Sequence, residues 1–166
     1  MSHLAYRPCV GIALFNREGL VFIGRRRTKR NSDQVSSGYE WQMPQGGIDL
    51  GEVPRAAALR ELQEETNVST VSFLAEAPHW LIYDLPFDMS RKNWKGRYKG
   101  QTQKWFAFRF DGDEREINID TPDGGHKPEF DAWRWERIER LPELIIPFKR
   151  QVYEGVVEQF RQFAQS

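Results

Sequence analysis

The sequence predicts an α/β layered domain, and three observations carry that reading. Apolar stretches of strand length recur from Val10 to Trp135, one of them alternates cleanly between two faces, and two segments repeat at helical spacing. In chain order, Val10–Leu14 and Leu20–Gly24 flank Asn16-Arg17-Glu18-Gly19, the pattern of a β-hairpin. Residues 25–38 are polar and basic, which predicts a loop ending before Trp41-Gln42-Met43-Pro44. Pro54 opens a run of Ala, Leu, Arg and Glu. Proline suits a first helical turn and the rest are strong helix formers, so a helix is expected there. Apolar stretches at 71–74 and 80–83 predict two further strands. From Lys104 to Phe110, Trp105, Ala107 and Arg109 point one way while Phe106, Phe108 and Phe110 point the other. Residues 132–135 predict another strand. Phe148, Val152 and Val156, with Tyr153, Val157 and Phe160, give the spacing of a C-terminal helix whose apolar side faces a core.

Composition narrows the function. At 166 residues the chain suits one domain with a sizeable core, spanning 1–166 with its body at about 6–160. Lysine and arginine together number 24, as do aspartate and glutamate, so net charge supplies no general attraction to nucleic acid or membrane. The lone cysteine, Cys9, excludes an internal disulfide and suits packing as a small apolar residue in a reducing compartment. No apolar leader or run of membrane length is present, so a cytoplasmic setting without membrane contact is expected. Nothing in the sequence calls for a protein partner.

Residues 46–68, GGIDLGEVPRAAALRELQEETNV, carry the chemistry. At about 100° per residue, Glu61, Glu64 and Glu65 share an arc of about 100° on the helix, with Ala58, Leu59 and Leu62 in the neighbouring arc. Carboxylates three and four residues apart repel, and a hard divalent cation with oxygen ligands reverses the sign of that cost. Arg60 lies one turn before Glu64 and is placed to pair with it. Gly46, Gly47 and Gly51 precede the helix and allow a tight backbone that approaches closely.

This pattern resembles the Nudix box, G-x5-E-x7-R-E-U-x-E-E-x-G-U, through Gly46, Glu52, Arg60, Glu61, Leu62, Glu64, Glu65 and Val68. Asn67 stands where the family pattern has glycine. A left-handed cap is expected at that position, and asparagine is the next-best residue for it. YRPCVGIALFN, WQMPQGG, GQTQKWF, PEFDAWRW and PFKRQVY extend the likeness over about residues 6–160. They resemble the Nudix branch of bacterial RNA pyrophosphohydrolases and plant-type diadenosine tetraphosphate hydrolases. WLIYDLP at 80–86 and the long loop 27–40 are most similar to alphaproteobacterial members.

The resemblance implies a Nudix fold, a mixed β-sheet sandwiched between helices. It also implies a hydrolase dependent on Mg²⁺ or Mn²⁺, with Glu61, Glu65 and the Gly46 carbonyl as metal ligands and Glu129 as a distal ligand or alternative base. Glu64 is expected to activate or orient water, a part Glu61 could also take, while Glu52 braces the loop. Arg7, Arg26 and Lys104 are the expected phosphate clamp, with Lys149 at the start of the last helix and Phe148 as a stacking surface. The expected substrates are the 5′ end of triphosphorylated RNA, losing pyrophosphate, and dinucleoside polyphosphates. An enzyme acting chiefly on diadenosine tetraphosphate to give ATP and AMP is the alternative. A non-catalytic nucleotide-sensing module is a third reading, but it would not need the box acids, all of which are present.

Overall fold

The computed structural model describes residues 5–27, 38–86, 98–122, 125 and 127–164. β1 (Ala5–Phe15) and β2 (Val21–Arg26) form the expected hairpin, with Gly19 at φ 78° in its turn. The predicted loop 25–38 falls mostly outside the described residues, and β2 itself runs on to Arg26. Then follow β3 (Trp41–Gln42), β4 (Gln45–Gly47), α1 (Pro54–Thr66), β5 (Val71–Glu76), β6 (Leu81–Asp84), β7 (Tyr98–Phe110) and β8 (Phe130–Glu136). A short turn of helix, α2 (Leu141–Leu144), which the sequence pattern does not predict, leads to α3 (Arg150–Phe160).

Among the described residues the strands form one eight-stranded mixed sheet ordered β3-β2-β1-β7-β5. β4 pairs with β1, β6 with β7 and β8 with β2. The one parallel ladder among the described residues, β1 on β7, runs from Ala5↔Tyr98 to Phe15↔Arg109. Alternation along both strands divides the core in two. Val10, Ile12, Leu14, Phe106, Phe108 and Phe110 pack under α1 against Ala58 and Leu62. Ala13, Phe15, Trp105 and Ala107 pack under α3 against Val152, Tyr153, Val156 and Phe160. The sheet is therefore sandwiched between helices, as expected.

α1 starts at Pro54 and ends on Asn67, which sits at φ 65° and donates its N–H to the Gln63 carbonyl (2.8 Å). The glycine-to-asparagine departure is thus accommodated by a left-handed cap. One expectation for this helix fails. Leu59 is 37% exposed, and Ala57 takes the buried place beside Ala58 and Leu62. The buried side of the helix is rotated by part of a turn from the expected one and includes Glu65.

Candidate active site

The site lies where β4 meets α1. β4 runs antiparallel beside β1, with Val10↔Gly46 and Cys9↔Gly47 in register. A Cβ on Gly46 would fall on the Glu61 carboxyl group, and one on Gly47 would crowd the Arg7 guanidinium. The φ angles of both glycines are ordinary, and a side chain at either would displace the Glu61 carboxyl or the Arg7 guanidinium from its place. Backbone of β4 therefore lies directly under an acid from α1 on one side and a base from β1 on the other.

Arg60 organises the acids around it. Its Nε and Nη2 form a fork on Glu52 (2.8 and 2.9 Å), Nη2 also reaches the Gly47 carbonyl (2.9 Å), and Nη1 bonds Glu61 (2.9 Å) and Glu64 (3.2 Å). Glu52 also accepts from the Asp49 N–H (3.0 Å). This one guanidinium ties the 46–52 loop to α1. Its hydrogen bonds hold the Glu52 carboxyl down at about 2, with the Asp49 N–H helping.

Glu61 and Glu65 are treated differently. Burial pushes Glu61 up to about 7, although Arg60 and Arg7 pull against it. Glu65 is 9% exposed and pushed well above the usual carboxylate range by burial first, then by the charges of Glu129 and Glu61. The Gln45 backbone donates to its carboxylate, but Glu65 Oε2 is buried with no hydrogen-bond partner. An orphaned carboxylate oxygen facing two more acids is costly in the protein alone. Among the described residues, no three acidic, thiol or imidazole groups already converge into a metal cage. The donor chemistry nevertheless fits a hard divalent cation, because Glu65 and Glu61 are close enough to repel and the β4 backbone touches both, at Gln45 and at Gly46.

A cationic cluster adjoins the acids. Lys149, the residue before α3, is buried, with its ammonium 5.4 Å from the Tyr83 ring. Burial and the nearby charge of Arg26 push it down to about 8, against Cys9 and Glu129. Arg7 and Arg26 both act on Tyr83, whose ring lies 5.7 Å from Phe148. The fold thus brings together Gly46, Glu61, Glu64, Glu65, Glu129, Arg7, Arg26, Phe148 and Lys149. Lys104 is set apart. It lies on the Phe106 face of β7, 8% exposed, ion-paired with Glu76 (3.3 Å) and 6.0 Å from the Trp80 ring. The basic run 91–97 lies outside the described residues.

One polar row beside the site was not anticipated. Trp105 Nε1 donates to Gln103 (2.9 Å), and Gln103 Nε2 donates to Gln101 (2.8 Å) and Gln45 (3.3 Å). The Met43 N–H donates to the buried Tyr153 hydroxyl (3.0 Å). Both glutamines and Tyr153 are nearly inaccessible, and this network fixes β4 beneath Glu65. Its signal was present in GQTQKW, as polar residues at every second position leading into Trp105.

Residues 5–156 match the NUDIX domain family. The chain is 59% identical to an RNA pyrophosphohydrolase of Rhodopseudomonas palustris, covering 97% of this chain and 95% of that one. It is 57% identical to an RNA pyrophosphohydrolase of Azorhizobium caulinodans, covering 99% and 97%. Among solved structures, the E. coli dihydroneopterin triphosphate pyrophosphohydrolase matches with a TM-score of 0.63 at 18% identity, covering 93% of this chain and 98% of that one. A C. elegans Ap4A hydrolase matches with 0.60 at 14%, covering 94% and 98%. These two likenesses concern the fold alone. With most of its length matched by the family and near-full-length relatives well above half identical, this chain belongs to the NUDIX domain family.

Proposed function

We propose that residues 1–166 act as one catalytic domain, a cytoplasmic pyrophosphohydrolase that removes pyrophosphate from the 5′ end of triphosphorylated RNA. The observation that carries the chemistry is Glu65, buried with an unpaired carboxylate oxygen against Glu61 and Glu129, over backbone stripped of side chains at Gly46 and Gly47. The substrate rests on the RNA pyrophosphohydrolase relatives.

Glu61, Glu65 and the Gly46 carbonyl would hold Mg²⁺ or Mn²⁺, with Glu129 as a further ligand. When bound, the cation supplies charge neutralisation on phosphate oxygens and a lowered pKa for water. The chain's own residues do the rest. Arg7, Arg26 and Lys149 gather the phosphate chain, and guanidinium forks suit its oxygens. Phe148, half-buried, offers ring surface to a base. Glu64 orients water and takes its proton as the water oxygen bonds to phosphorus and the anhydride phosphorus–oxygen bond breaks, with pyrophosphate leaving. Arg60 fixes Glu64 and Glu61 without touching substrate. No protein nucleophile is needed, since positioning and electrostatics dominate phosphoryl transfer. Lys104 remains part of the proposed substrate side only through its place on β7, and its ion pair with Glu76 argues for a bracing role.

A product-resolved assay tests this. Triphosphorylated RNA, diadenosine tetraphosphate and free nucleoside triphosphates are offered at equal concentration with Mg²⁺, with Mn²⁺ and with chelator. Pyrophosphate release from RNA that vanishes in chelator is the expected result. Full activity in chelator, with no metal retained, sinks the mechanism. Turnover of diadenosine tetraphosphate to ATP and AMP with none of RNA overturns the substrate.

A further inference from the structure

An aromatic residue flanked by arginines extends outward from the cationic cluster. Trp41 on β3 pairs with Arg25 on β2. The Arg134 guanidinium from β8 lies 4.3 Å from the Trp41 ring centre, and that of Arg25 lies 6.0 Å away. Both side chains remain accessible, at 42% and 47%, and Arg140 beside them at 55%. Two carboxylates answer these three cations. Arg25 pairs through Nε with Asp131 (2.7 Å), while Arg134 and Arg140 share Glu136 (2.9 and 3.2 Å). A guanidinium has five donors, so each keeps others for a ligand.

Backbone contacts tie the strip to the proposed phosphate site. The Arg26 N–H donates to the Glu40 carbonyl (2.9 Å), and Glu40 bridges Ile145, shortly before Phe148 and Lys149. Trp41 and Phe148 pack against the same core cluster. Arg25 and Arg26 are consecutive, at a register shift between β2 and β8.

We infer that Trp41, Arg25, Arg134 and Arg140 form a track for the single-stranded RNA downstream of the 5′ end, with arginine planes layered on Trp41 receiving bases and their free donors receiving phosphates. Stacked planes tolerate any base and guanidiniums suit phosphate, which is the chemistry of sequence-independent single-strand binding. The track rests on the RNA reading of the active site. It gives that reading a length dependence, because a dinucleoside polyphosphate is too short to lie on it.

The test compares kcat/KM for three substrates: a triphosphorylated RNA of two nucleotides, one of about a dozen, and diadenosine tetraphosphate. The wild-type protein is expected to favour the longer RNA. Arg25→Gln/Arg134→Gln should lose about five- to tenfold on it, a fraction of the stacking effect of one base, with the two short substrates within about twofold. Its salt slope should fall by about 0.7 for each phosphate left without a cation. Arg25→Gln alone, on an exposed side chain, should show part of the effect if the double variant folds poorly. Weaker anisotropy-detected binding of a 5′-monophosphorylated RNA of the longer length is expected in both variants. Equal losses on all three substrates, or no loss on the long RNA, overturn the track and leave these arginines as edge bracing. A wild-type protein that cuts both RNA lengths equally well removes the track alone, while one that cuts neither removes the RNA reading with it.

Discussion

Glu52 and Glu65 stand at the two ends of α1, and the protein treats them in opposite ways. Glu52 receives two guanidinium bonds and a backbone N–H, and its carboxyl group sits at about 2. Glu65 keeps one oxygen buried without a partner and is pushed far up. An arginine that could have neutralised the second acid lies in the same helix, yet its donors are committed to Glu52, Gly47, Glu61 and Glu64. The difference separates the part of the box that ties the loop to the helix from the part left unsatisfied, which the proposed function assigns to a cation.

The sharpest way to break that contrast is to neutralise Glu65. Glu65→Gln should cut kcat by about 10²–10³-fold or more, as removal of a pre-organised electrostatic group does. In chelator it should melt above the wild type, by about 2–4 °C for each kcal/mol of repulsion removed. Near-normal turnover, or a lower melting point without metal, would return Glu65 to an ordinary helix acid. Arg60→Met should act the other way, losing about 2–4 kcal/mol in denaturant unfolding because the carboxylates it holds lose their partner in a site only 29% exposed at the arginine. Arg60→Lys should recover only part of this, since an ammonium cannot fork onto Glu52.

The third prediction uses pH on the metal-free protein. Glu52 is lowered from 4.5 to about 2, so the stability it contributes is present above about 4.5 and is lost as pH falls toward 2. Glu61 is raised from 4.5 to about 7, so the native state binds more protons than the unfolded chain. Its contribution is complete below about 4.5 and is lost as pH rises to 7, by at most about 3 kcal/mol. Unfolding free energy in chelator should therefore decline from about pH 5 to 7. Glu61→Gln should lessen that decline, leaving the part Glu65 adds with the same sign, and keep the acid limb, while Glu52→Gln should soften the acid limb and leave the decline. A single variant that changes both limbs would dissolve the distinction. The smallest effect belongs to Leu59, where replacement by Ala should move stability by no more than about 0.5 kcal/mol, against about 2–5 for Leu62→Ala.

Leu59 also marks where sequence reasoning stops. Helical spacing groups it with Leu62 because an angular arc records direction and carries no information about which direction is inward. Packing turns Ala57, Ala58, Leu62 and Glu65 inward and leaves Leu59 exposed. The strands are more legible. The alternation in Lys104–Phe110 divides the two halves of the core correctly, since a period of two leaves no such ambiguity. The earlier half of that strand, Tyr98–Gln103, is hidden because its inward face is polar, carrying Gln101 and Gln103. The glycines of the box signal close approach, and what approaches proves to be Glu61 and Arg7, from elements on either side in sequence. Lys104 reads as a clamp from its segment alone, whereas parity along β7 puts it on the opposite face from Gln103, beside Glu76.

The parallel ladder between β1 and β7 has a consequence for how the chain is made. Its paired residues lie roughly ninety positions apart, so β1 leaves the ribosome with β2 and then β4 within reach long before β7. At about 5–20 residues per second, β7 follows some 5–20 seconds later. During that interval one edge of β1 is open, and α1 has half its apolar bed, because Phe106 and Phe108 have not been synthesised. Nascent chains stalled before residue 98 should therefore expose that edge to chaperones and proteases, and protection should appear in one step once β7 clears the exit tunnel.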